Sequence, residues 1–477
     1  MFIKLKYIFS VVIIFFITGC GITSPQLTTT NFKDKIDLIL RDSIFDASQV
    51  GIKVVSLKNN RVLYSKNEKL LLRPASNLKL ITSAAALSVL KDTFQFRTEF
   101  YFDSLTSSLF IKGSGNPLFT SEDIAKSVSQ LKSNGLQQIN GNVVGDISIF
   151  DSTQWGEGWM WDDEPFEYAA YNSPLTINNN CIKIITTPSN IIGGKLNIQT
   201  LPQTSFVNII NDGITSNSES PNNLDVARKF YERSNDIVVK GNMKLNSSPD
   251  TTKLTVLHPE KYFVTLLYEE LLRQGITIKG KPIISTIPNT AKLKYVHFQS
   301  IDSVLVNFNK VSDNLTGENL LKLLGKELNK NIGTTKSGIN NVYNFLNKIG
   351  IDTSKLLMVD GSGMSHYNLV TAEMYIKLLR AMYNDKNNFQ LFYKSLPIGG
   401  VDGTLSNRMK HGNAFKNVHA KTGSIGGVST LSGYVTTSNN DLLAFSIMMQ
   451  NFIGSAKEYR NAQDKICEIL SSISDSL

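Results

Sequence analysis

Apolar and polar residues repeat with one period near the two ends of the chain and with another in its middle. Near both ends, apolar residues recur every three or four positions, which is typical of amphipathic helices. The helices predicted there span 32–42, 80–90, 314–328, 342–350, 372–382 and 456–472. Between about 93 and 288 the chain is rich in Asn, Ser, Thr and Gly, and its short alternating apolar runs predict strands, with one helix at 262–274.

Two predicted hairpins flank this middle segment. Runs rich in β-branched residues at 50–56 and 61–65, and again at 428–437 and 442–451, are joined by short polar turns. Such runs separated by turn residues are typical of paired antiparallel strands. The two ends of the chain can therefore contribute strands to a single sheet.

These patterns predict an α/β fold with a split domain. We expect residues 32–92 and 291–477 to form that domain, and residues 93–290 to form a β-rich insertion of one or more domains. A length of 477 residues agrees with two or three domains.

The buried helix predicted at 80–90 follows the segment Ser76-Asn77-Leu78-Lys79. Positions three apart share a helix face, so Ser76 and Lys79 can come within hydrogen-bond distance. A serine becomes a nucleophile when a base takes its proton, and a lysine can be that base if burial or a nearby cation lowers its pKa. Taken alone, this pair is more often a helix-capping serine and a surface lysine.

A second polar segment, Ser312-Asp313-Asn314, opens the helix predicted at 314–328. Serine and aspartate at a helix start are often simple N-caps. In the functional interpretation, the Ser312 hydroxyl relays a proton to a leaving nitrogen, while Asn314 holds Lys79 and a substrate amide.

A third segment, Lys421-Thr422-Gly423-Ser424, precedes the last hairpin. Lys421 with the hydroxyls of Thr422 and Ser424 would suit a carboxylate, and Gly423 permits close approach of another backbone. The N–H groups of Ser424 and Ser76 could together form an oxyanion hole. The ordinary alternative is a Gly-rich turn with an exposed lysine.

The first residues have the features of an export signal. Lys4 and Lys6 precede an apolar run at 7–17, which is too short for a typical membrane span. The run ends in Ile17-Thr18-Gly19-Cys20, which resembles a bacterial lipobox. We therefore expect a lipoprotein signal peptide at 1–20, a lipid anchor on Cys20 and a tether at 21–31. The alternative is an ordinary signal peptide with an incidental cysteine.

Composition excludes some function classes. The net charge of +9 is dispersed along the chain, so nucleic acid is not an expected partner, although a mild positive field would suit an anionic cell-wall polymer. The five histidines are scattered and no Cys-x-x-Cys pair occurs, so metal catalysis is not supported. Cys181 and Cys467 could be free buried thiols or one disulfide.

Ser-x-x-Lys, Ser-x-Asn and Lys-Thr-Gly in this order are the motifs of the penicillin-recognising serine acyl transferases. The chain resembles in particular the DacB-type D-alanyl-D-alanine carboxypeptidases/endopeptidases, the low-molecular-mass class C penicillin-binding proteins. The segments that carry this resemblance are 73–87, 158–163, 360–365, 400–405, 420–424 and 431–434.

The resemblance implies a β-lactamase/transpeptidase-like domain interrupted by a β-rich insertion. It implies an exported envelope or periplasmic enzyme that hydrolyses peptidoglycan stem peptides through a Ser76 acyl-enzyme, without a cofactor, and that β-lactams inhibit covalently. Lys79 would be the base, Ser312 the proton relay, and Asn314 and Lys421 further members of the catalytic group. Gly21 after Cys20, in place of an aspartate retention signal, favours the outer membrane.

Two alternatives use the same sequence features. One is a β-lactamase, although the long gap between Lys79 and Ser312 and the lack of a deacylating glutamate motif after Asn314 argue against class A enzymes. The other is a non-catalytic lipoprotein that binds peptidoglycan, against which an intact nucleophile and base argue.

Four residues are candidates for contact with the side chain of the third stem residue. His366 stands where the family commonly has arginine, so a fixed positive charge would become titratable if this position faces the substrate. Asp162, beside Trp159 and Trp161, is expected to bind the amine of a diaminopimelate-type residue. Local packing is the alternative explanation for all of them.

Overall fold

The computed structural model describes residues 31–474 except 218, 220 and 330. The predicted signal peptide, lipidated Cys20 and most of the tether lie outside the described residues. Within the described residues there are ten α-helices: α1 (Asn31–Ile39), α2 (Leu78–Leu90), α3 (Ser121–Ser133), α4 (Pro259–Arg273), α5 (Ile301–Lys310), α6 (Asn314–Asn329), α7 (Thr335–Lys348), α8 (Ala372–Asn384), α9 (Phe389–Ser395) and α10 (Lys457–Ser471).

The strands in the same part of the chain are β1 (Gln49–Ser56), β2 (Val62–Lys66), β3 (Gln95–Asp103), β4 (Ser108–Gly113), β5 (Gln138–Ile139), β6 (Val143–Asp146), β7 (Cys181–Thr187), β8 (Asn197–Leu201), β9 (Ile209–Asn211), β10 (Ile214–Ser216), β11 (Asn223–Arg228), β12 (Ile237–Lys244), β13 (Asp250–Thr255), β14 (Thr277–Ile278), β15 (Pro282–Ile284), β16 (Lys292–Ser300), β17 (His419–Ile425), β18 (Val428–Thr436) and β19 (Leu442–Gln450).

The two ends of the chain meet in one antiparallel sheet of order β17-β18-β19-β1-β2. Val50 of β1 pairs with Met449 of β19, and Ser56 pairs with Leu443, so the two predicted hairpins lie side by side. Helices α1 and α10 cover one face of this sheet and α8 lies on the other, with α2, α5, α6 and α7 behind it. The prediction that the ends close a single sheet is confirmed.

The middle segment is built on several smaller sheets. One has the order β15-β6-β4-β3-β16, a second the order β13-β7-β8, and a third the order β10-β12-β11 with β9 also on β12. Strands β5 and β14 form a separate parallel pair. Helices α3 and α4 pack in the same apolar core as the first two of these sheets.

Strand β16 lies beyond the boundary predicted at residue 290. It pairs antiparallel with β3, the strand that begins the middle segment, so the inserted sheet extends to Ser300. The chain then returns to the first domain through α5, whose Val304 and Phe308 are fully buried beside α2. The sequence pattern of β16 did not show this, because its partner strand lies about two hundred residues earlier in the chain.

Helix α3 was not predicted because its sequence is mostly polar. Thr120 and Asp123 form a reciprocal capping box at its start, and Ile124, Val128 and Leu131 face the core. Helices α5 and α9 were also missed, and α7 begins at Thr335, earlier than predicted. The other predicted helices agree with the structure to within a few residues.

Cys181 and Cys467 are both buried free thiols, which decides between the two interpretations left open by the sequence. Among residues 31–474, apart from the three that are not described, no helix has the length and apolar character needed to cross a membrane.

Candidate active site

Ser76 lies in a tight turn that leads into helix α2. Ala75, directly before it, has a left-handed backbone with φ of 46°, which costs a residue with a Cβ atom about 1–2 kcal/mol. Neighbouring elements hold the turn, since Thr430 donates to the carbonyl of Pro74 at 2.8 Å and Asn77 donates to Ser432 at 2.8 Å. This arrangement leaves Ser76 partly exposed at the start of a buried helix.

Lys79 is fully buried one turn further along the helix. Its Nζ donates to Ser76 Oγ at 2.9 Å, to Asn314 Oδ1 at 2.6 Å and to the carbonyl of Ser362 at 2.7 Å. Burial lowers the pKa of Lys79 to about 8, against the opposing effect of nearby carboxylates. An amine with that pKa beside a serine hydroxyl can take the hydroxyl proton near neutral pH.

A second lysine–serine pair lies opposite the first. Lys421 on β17 is fully buried, and its Nζ donates to Ser312 Oγ at 2.9 Å and to the carbonyl of Thr422 at 3.0 Å. Burial, and secondarily the charge of Lys79, hold the pKa of Lys421 well below its usual value. Ser312 has a left-handed backbone with φ of 66°, so both serines of the site lie at or next to strained backbone.

The N-cap interpretation of the second motif applies to Asp313. Its Oδ2 accepts the N–H of Thr316 at 2.8 Å, which caps helix α6. Ser312 and Asn314 are therefore placed by the helix start, with the Ser312 hydroxyl turned to Lys421 and the Asn314 amide turned to Lys79.

Two buried carboxylates support the loop that follows Val359. Glu318 accepts the N–H groups of Gly361 and Ser362 at 3.0–3.1 Å. Asp360 accepts those of Gly363 and Ser365 at 2.9 and 2.7 Å. The loop in turn provides the Ser362 carbonyl that holds Lys79.

Burial and the charge of Asp360 raise the pKa of Glu318. Sequence analysis missed this residue as part of the site. Its position four residues after Asn314 on one helix was an available signal, because such residues share a helix face.

Strand β17 passes directly beside the turn that contains Ser76. A Cβ atom on Gly423 would lie 2.7 Å from the carbonyl oxygen of Pro74 and 2.2 Å from Thr430 Oγ1. Gly423 is therefore required by the packing of the turn against the strand. Thr422 donates to Thr404 at 2.7 Å, and Ser424 is exposed at the edge of the cleft.

The residues predicted to contact a substrate side chain lie at the outer edge of the site. Asp162 is exposed, and next to it Trp161 stacks with Phe230 at a centroid distance of 5.8 Å. Trp159 is instead buried and donates to Asp360 at 3.0 Å. For Trp159, the packing alternative describes what the structure shows.

His366 lies beside a cation that sequence analysis did not single out. Its Nδ1 is 3.3 Å from Nη1 of Arg73. Burial, followed by the charge of Arg73, lowers the pKa of His366. The fixed positive charge at this corner therefore belongs to Arg73, and His366 is neutral near pH 7.

The three motifs of the sequence meet in one cleft. Ser76, Lys79 and Asn314 form one hydrogen-bonded group, and Ser312 with Lys421 forms the facing one. Such an arrangement places one hydroxyl beside a buried amine and a second hydroxyl–amine pair near it, and acyl transfer can use groups of this kind.

Comparisons with known proteins agree with this geometry. The profile of the D-Ala-D-Ala carboxypeptidase 3 (S13) family matches residues 32–473. A D-alanyl-D-alanine carboxypeptidase of Actinomadura sp. (strain R39) is 32% identical over 448 residues, which is 90% of this chain and 82% of that protein. The D-alanyl-D-alanine carboxypeptidase DacB of Haemophilus influenzae is 27% identical over 445 residues, 90% of each chain.

The fold is also similar to a solved structure. Penicillin binding protein 4 (dacB) from Haemophilus influenzae superposes with a TM-score of 0.80 at 25% identity, covering 92% of this chain and 99% of that one. The expected resemblance and fold class are both confirmed.

Proposed function

The chain belongs to the D-Ala-D-Ala carboxypeptidase 3 (S13) family, and from that premise we propose that it hydrolyses peptidoglycan stem peptides through an ester on Ser76. Family membership makes it a hydrolase of the serine peptidase type. The observation that carries the proposal is the 2.9 Å contact between the buried amine of Lys79 and the hydroxyl of Ser76.

In the acylation step, Ser76 Oγ attacks the carbonyl carbon of the penultimate D-Ala and its proton passes to Lys79. The N–H groups of Ser76 and Ser424 stabilise the tetrahedral oxyanion. The C–N bond then breaks as Ser312, backed by Lys421, passes its hydroxyl proton to the leaving nitrogen of the terminal D-Ala, and the proton held by Lys79 replaces it on Ser312. In the second step a water molecule attacks the ester and gives a proton to Lys79. The bond between the acyl carbon and Ser76 Oγ then breaks, the shortened peptide leaves, and the proton passes from Lys79 back to Ser76.

Charge and position support the roles in substrate binding. Lys421 with the hydroxyls of Thr422 and Ser424 holds the terminal carboxylate, because all three belong to β17, the edge strand of its sheet, where Ser424 is exposed, Thr422 is partly exposed and Lys421 is buried. Asp162, exposed beside Trp161, binds an amine on the side chain of the third stem residue. Arg73 supplies a fixed positive charge beside His366.

The same chemistry cleaves a cross-linked stem if the leaving nitrogen belongs to a second peptide. We therefore include endopeptidase activity in the proposal. Penicillin binding protein 4 (dacB) from Haemophilus influenzae has been solved in complex with a β-lactam. In this chain, Ser76 would attack a β-lactam carbonyl in the same way as the peptide carbonyl.

Membership of the family indicates in which part of the cell the protein acts. A cell-wall peptidase acts in the cell envelope, and we propose in addition that Cys20 carries a lipid that anchors the chain, at the outer membrane where the cell has one. Two acyl chains bury enough CH₂ groups for stable anchoring, at about 0.8 kcal/mol each. Cys20→Ala should release the protein from the membrane fraction of producing cells, and a variant still held there would overturn the anchor.

The test of the catalytic proposal is an intact-mass time course of the full chain with benzylpenicillin, beside Ser76→Ala. We expect one stable adduct of the mass of the drug, absent from the variant. Rapid loss of drug without an adduct would favour the β-lactamase, and an intact drug without an adduct would favour the non-catalytic peptidoglycan-binding protein. An adduct that persists in Ser76→Ala would overturn the nucleophile.

A further inference from the structure

The inserted segment contains three consecutive residues with left-handed backbone. Asn178, Asn179 and Asn180 have φ values of 50°, 56° and 53°, directly before strand β7. Asparagine adopts this conformation more readily than most residues, but left-handed residues normally occur singly. Backbone of this kind persists where the surroundings hold it, and it clusters at functional sites.

The side chains of this turn divide into two groups. Asn178 bonds to Ser121, donating to its hydroxyl at 2.8 Å and accepting its N–H at 3.1 Å, and Asn180 donates to the carbonyl of Tyr171 at 2.8 Å. These contacts stay within the inserted segment. Asn179 instead donates from Nδ2 to Oδ1 of Asp313 at 3.2 Å.

Asp313 is held from both sides. One carboxylate oxygen receives the Asn179 amide, and the other receives the N–H of Thr316 at 2.8 Å, together with the Thr316 hydroxyl. Asp313 stands between Ser312 and Asn314 in the chain, so a shift of its backbone would move both neighbouring residues. A displacement of catalytic groups by about 1 Å can cost on the order of 100-fold in rate.

Two further contacts secure the same junction. Asn314 donates from Nδ2 to the carbonyl of Tyr168, which also belongs to the inserted segment, at 2.8 Å. Beneath it, Cys181 packs with Ala170 and with Leu315 of helix α6, and its thiol donates to the carbonyl of Asn179 at 3.2 Å. The strained turn is therefore fixed against the helix start and is not an isolated surface loop.

We propose that Asn179 is a positioning residue for the reaction: through Asp313 it aligns Ser312 with Lys421 and Asn314 with Lys79. The proposal rests on the proposed function, since it assigns a role in acylation. It gives the inserted segment a part in catalysis, because a residue outside the split domain then determines the geometry of the cleft. If the turn served only to reverse the chain, changes in the Asn179 side chain would affect stability alone.

The test compares benzylpenicillin acylation rates of the full chain and four variants. Asn179→Asp sets two carboxylates against each other, and we expect acylation to slow on the order of 100-fold. Asn178→Asp is the matched control, because it makes the same change in the same turn where the partner is a hydroxyl and an N–H group. We expect its rate to stay within about twofold of the parent rate.

The double variant Asn179→Asp with Asp313→Asn exchanges donor and acceptor across the same contact. Asparagine also caps helices well, so the exchange keeps the start of α6 and restores the hydrogen bond with reversed polarity. We expect its rate to recover to within about tenfold of the parent rate. A purely structural role would instead leave the double variant at least as slow as Asn179→Asp.

Asn179→Gly keeps the proposal testable if the charged variant does not fold. Glycine accepts the left-handed backbone without strain and removes the amide, so this variant should fold and still acylate on the order of tenfold more slowly. A parent-like rate in Asn179→Gly, equal rates in Asn179→Asp and Asn178→Asp, or no recovery in the double variant would each overturn the inference. If the unmodified chain forms no adduct, the proposed function itself fails.

Discussion

The active-site cleft and the joint between helix α6 and the loop at Asp151 both contain a fully buried lysine, Lys79 in the first and Lys322 in the second, yet these two lysines have different partners. Lys79 in the cleft donates to a hydroxyl, an amide oxygen and a carbonyl, all of them neutral. Lys322 in the joint donates to the carboxylate of Asp151 and to the carbonyl of Thr153. The same kind of side chain is therefore stabilised in two ways.

The partners change what each amine can do. Burial lowers the pKa of both, but at Lys322 the hydrogen bond and charge of Asp151 directly oppose that fall. At Lys79 the opposing carboxylates act without a direct contact, and the pKa falls to about 8. A buried lysine that exchanges a proton thus has neutral acceptors, whereas one that joins two elements has a counter-charge.

The largest effect should follow from replacing the two lysines in the same way. Lys79→Met removes the base without leaving a buried charge, so the protein should fold while acylation by benzylpenicillin slows by about 10²–10⁴-fold. Lys322→Met is the matched control on helix α6 and should acylate at close to the parent rate. Intact-mass time courses measure both, and similar losses in the two variants would remove the distinction between them.

Removing the carboxylate that neutralises Lys322 should lower the free energy of unfolding and leave the acylation rate unchanged. Asp151→Asn leaves the Lys322 amine, which is fully buried, without its carboxylate. We expect a loss of about 2–3 kcal/mol in the free energy of unfolding, at the low end for a broken buried pair because Asp151 is 29% exposed and water can reach the site. Denaturant unfolding and the acylation rate are measured together.

The control for that variant lies on the same helix. Lys326 and Glu327 form a surface pair at 4.0 Å in which both side chains are 37% exposed. Glu327→Gln should change the free energy of unfolding by less than about 0.5 kcal/mol. An equal loss in both variants would mean that burial of Lys322 does not determine the effect.

Sequence reasoning located the parts of the site that are encoded locally. Ser76 and Lys79 share one helix turn, and the last hairpin follows directly after Lys421, so short patterns were enough to find them. Arg73 was missed because its partner His366 comes from a distant loop, and a contact of this kind leaves no local period. Glu318 was missed although its position four residues after Asn314 was a local signal. The pairing of β16 with β3 escaped detection for the same reason.

The backbone conformation of single residues could not be predicted from the sequence either. Ala75 and Ser312 have left-handed backbone although neither residue type favours it. The surrounding contacts hold these conformations, as Thr430 does at the turn before Ser76. Such strain can be recognised only once the contacts that hold it are known.

The pH dependence of acylation should reflect the lowered pKa of Lys79, whose hydrogen-bond partners are all neutral. Since the neutral amine accepts the proton, the acylation rate should rise roughly tenfold per pH unit below about 8 and level off above it. A rate that continued to rise to pH 10 would mean that the amine of Lys79 is not perturbed, and the contrast with Lys322 would fail.

Stability should depend on pH in the same window with a sign that can be worked out. The pKa of Lys79 is about 8 in the fold and 10.5 for an ordinary lysine, so between these values the unfolded chain binds more protons. Stability therefore rises with pH across that window. Relative to Lys79→Met, the parent protein should gain stability between about pH 8 and pH 10.5. Denaturant unfolding at pH 7 and pH 10 measures it.

The smallest effect is expected at the edge of the cleft, where His366 lies against a cation. Burial and Arg73 lower the pKa of the imidazole, so it is already neutral where acylation is measured, and its Nδ1 is positioned to accept from the guanidinium. His366→Gln keeps an acceptor and removes the titrating group. The acylation rate at pH 7 should stay within about threefold of the parent rate. The pH near 8 at which the acylation rate levels off should not change. If the pH at which the rate levels off changed in His366→Gln, the group that titrates there would be His366 and not Lys79. The pH dependence of acylation would then come from an imidazole beside a cation.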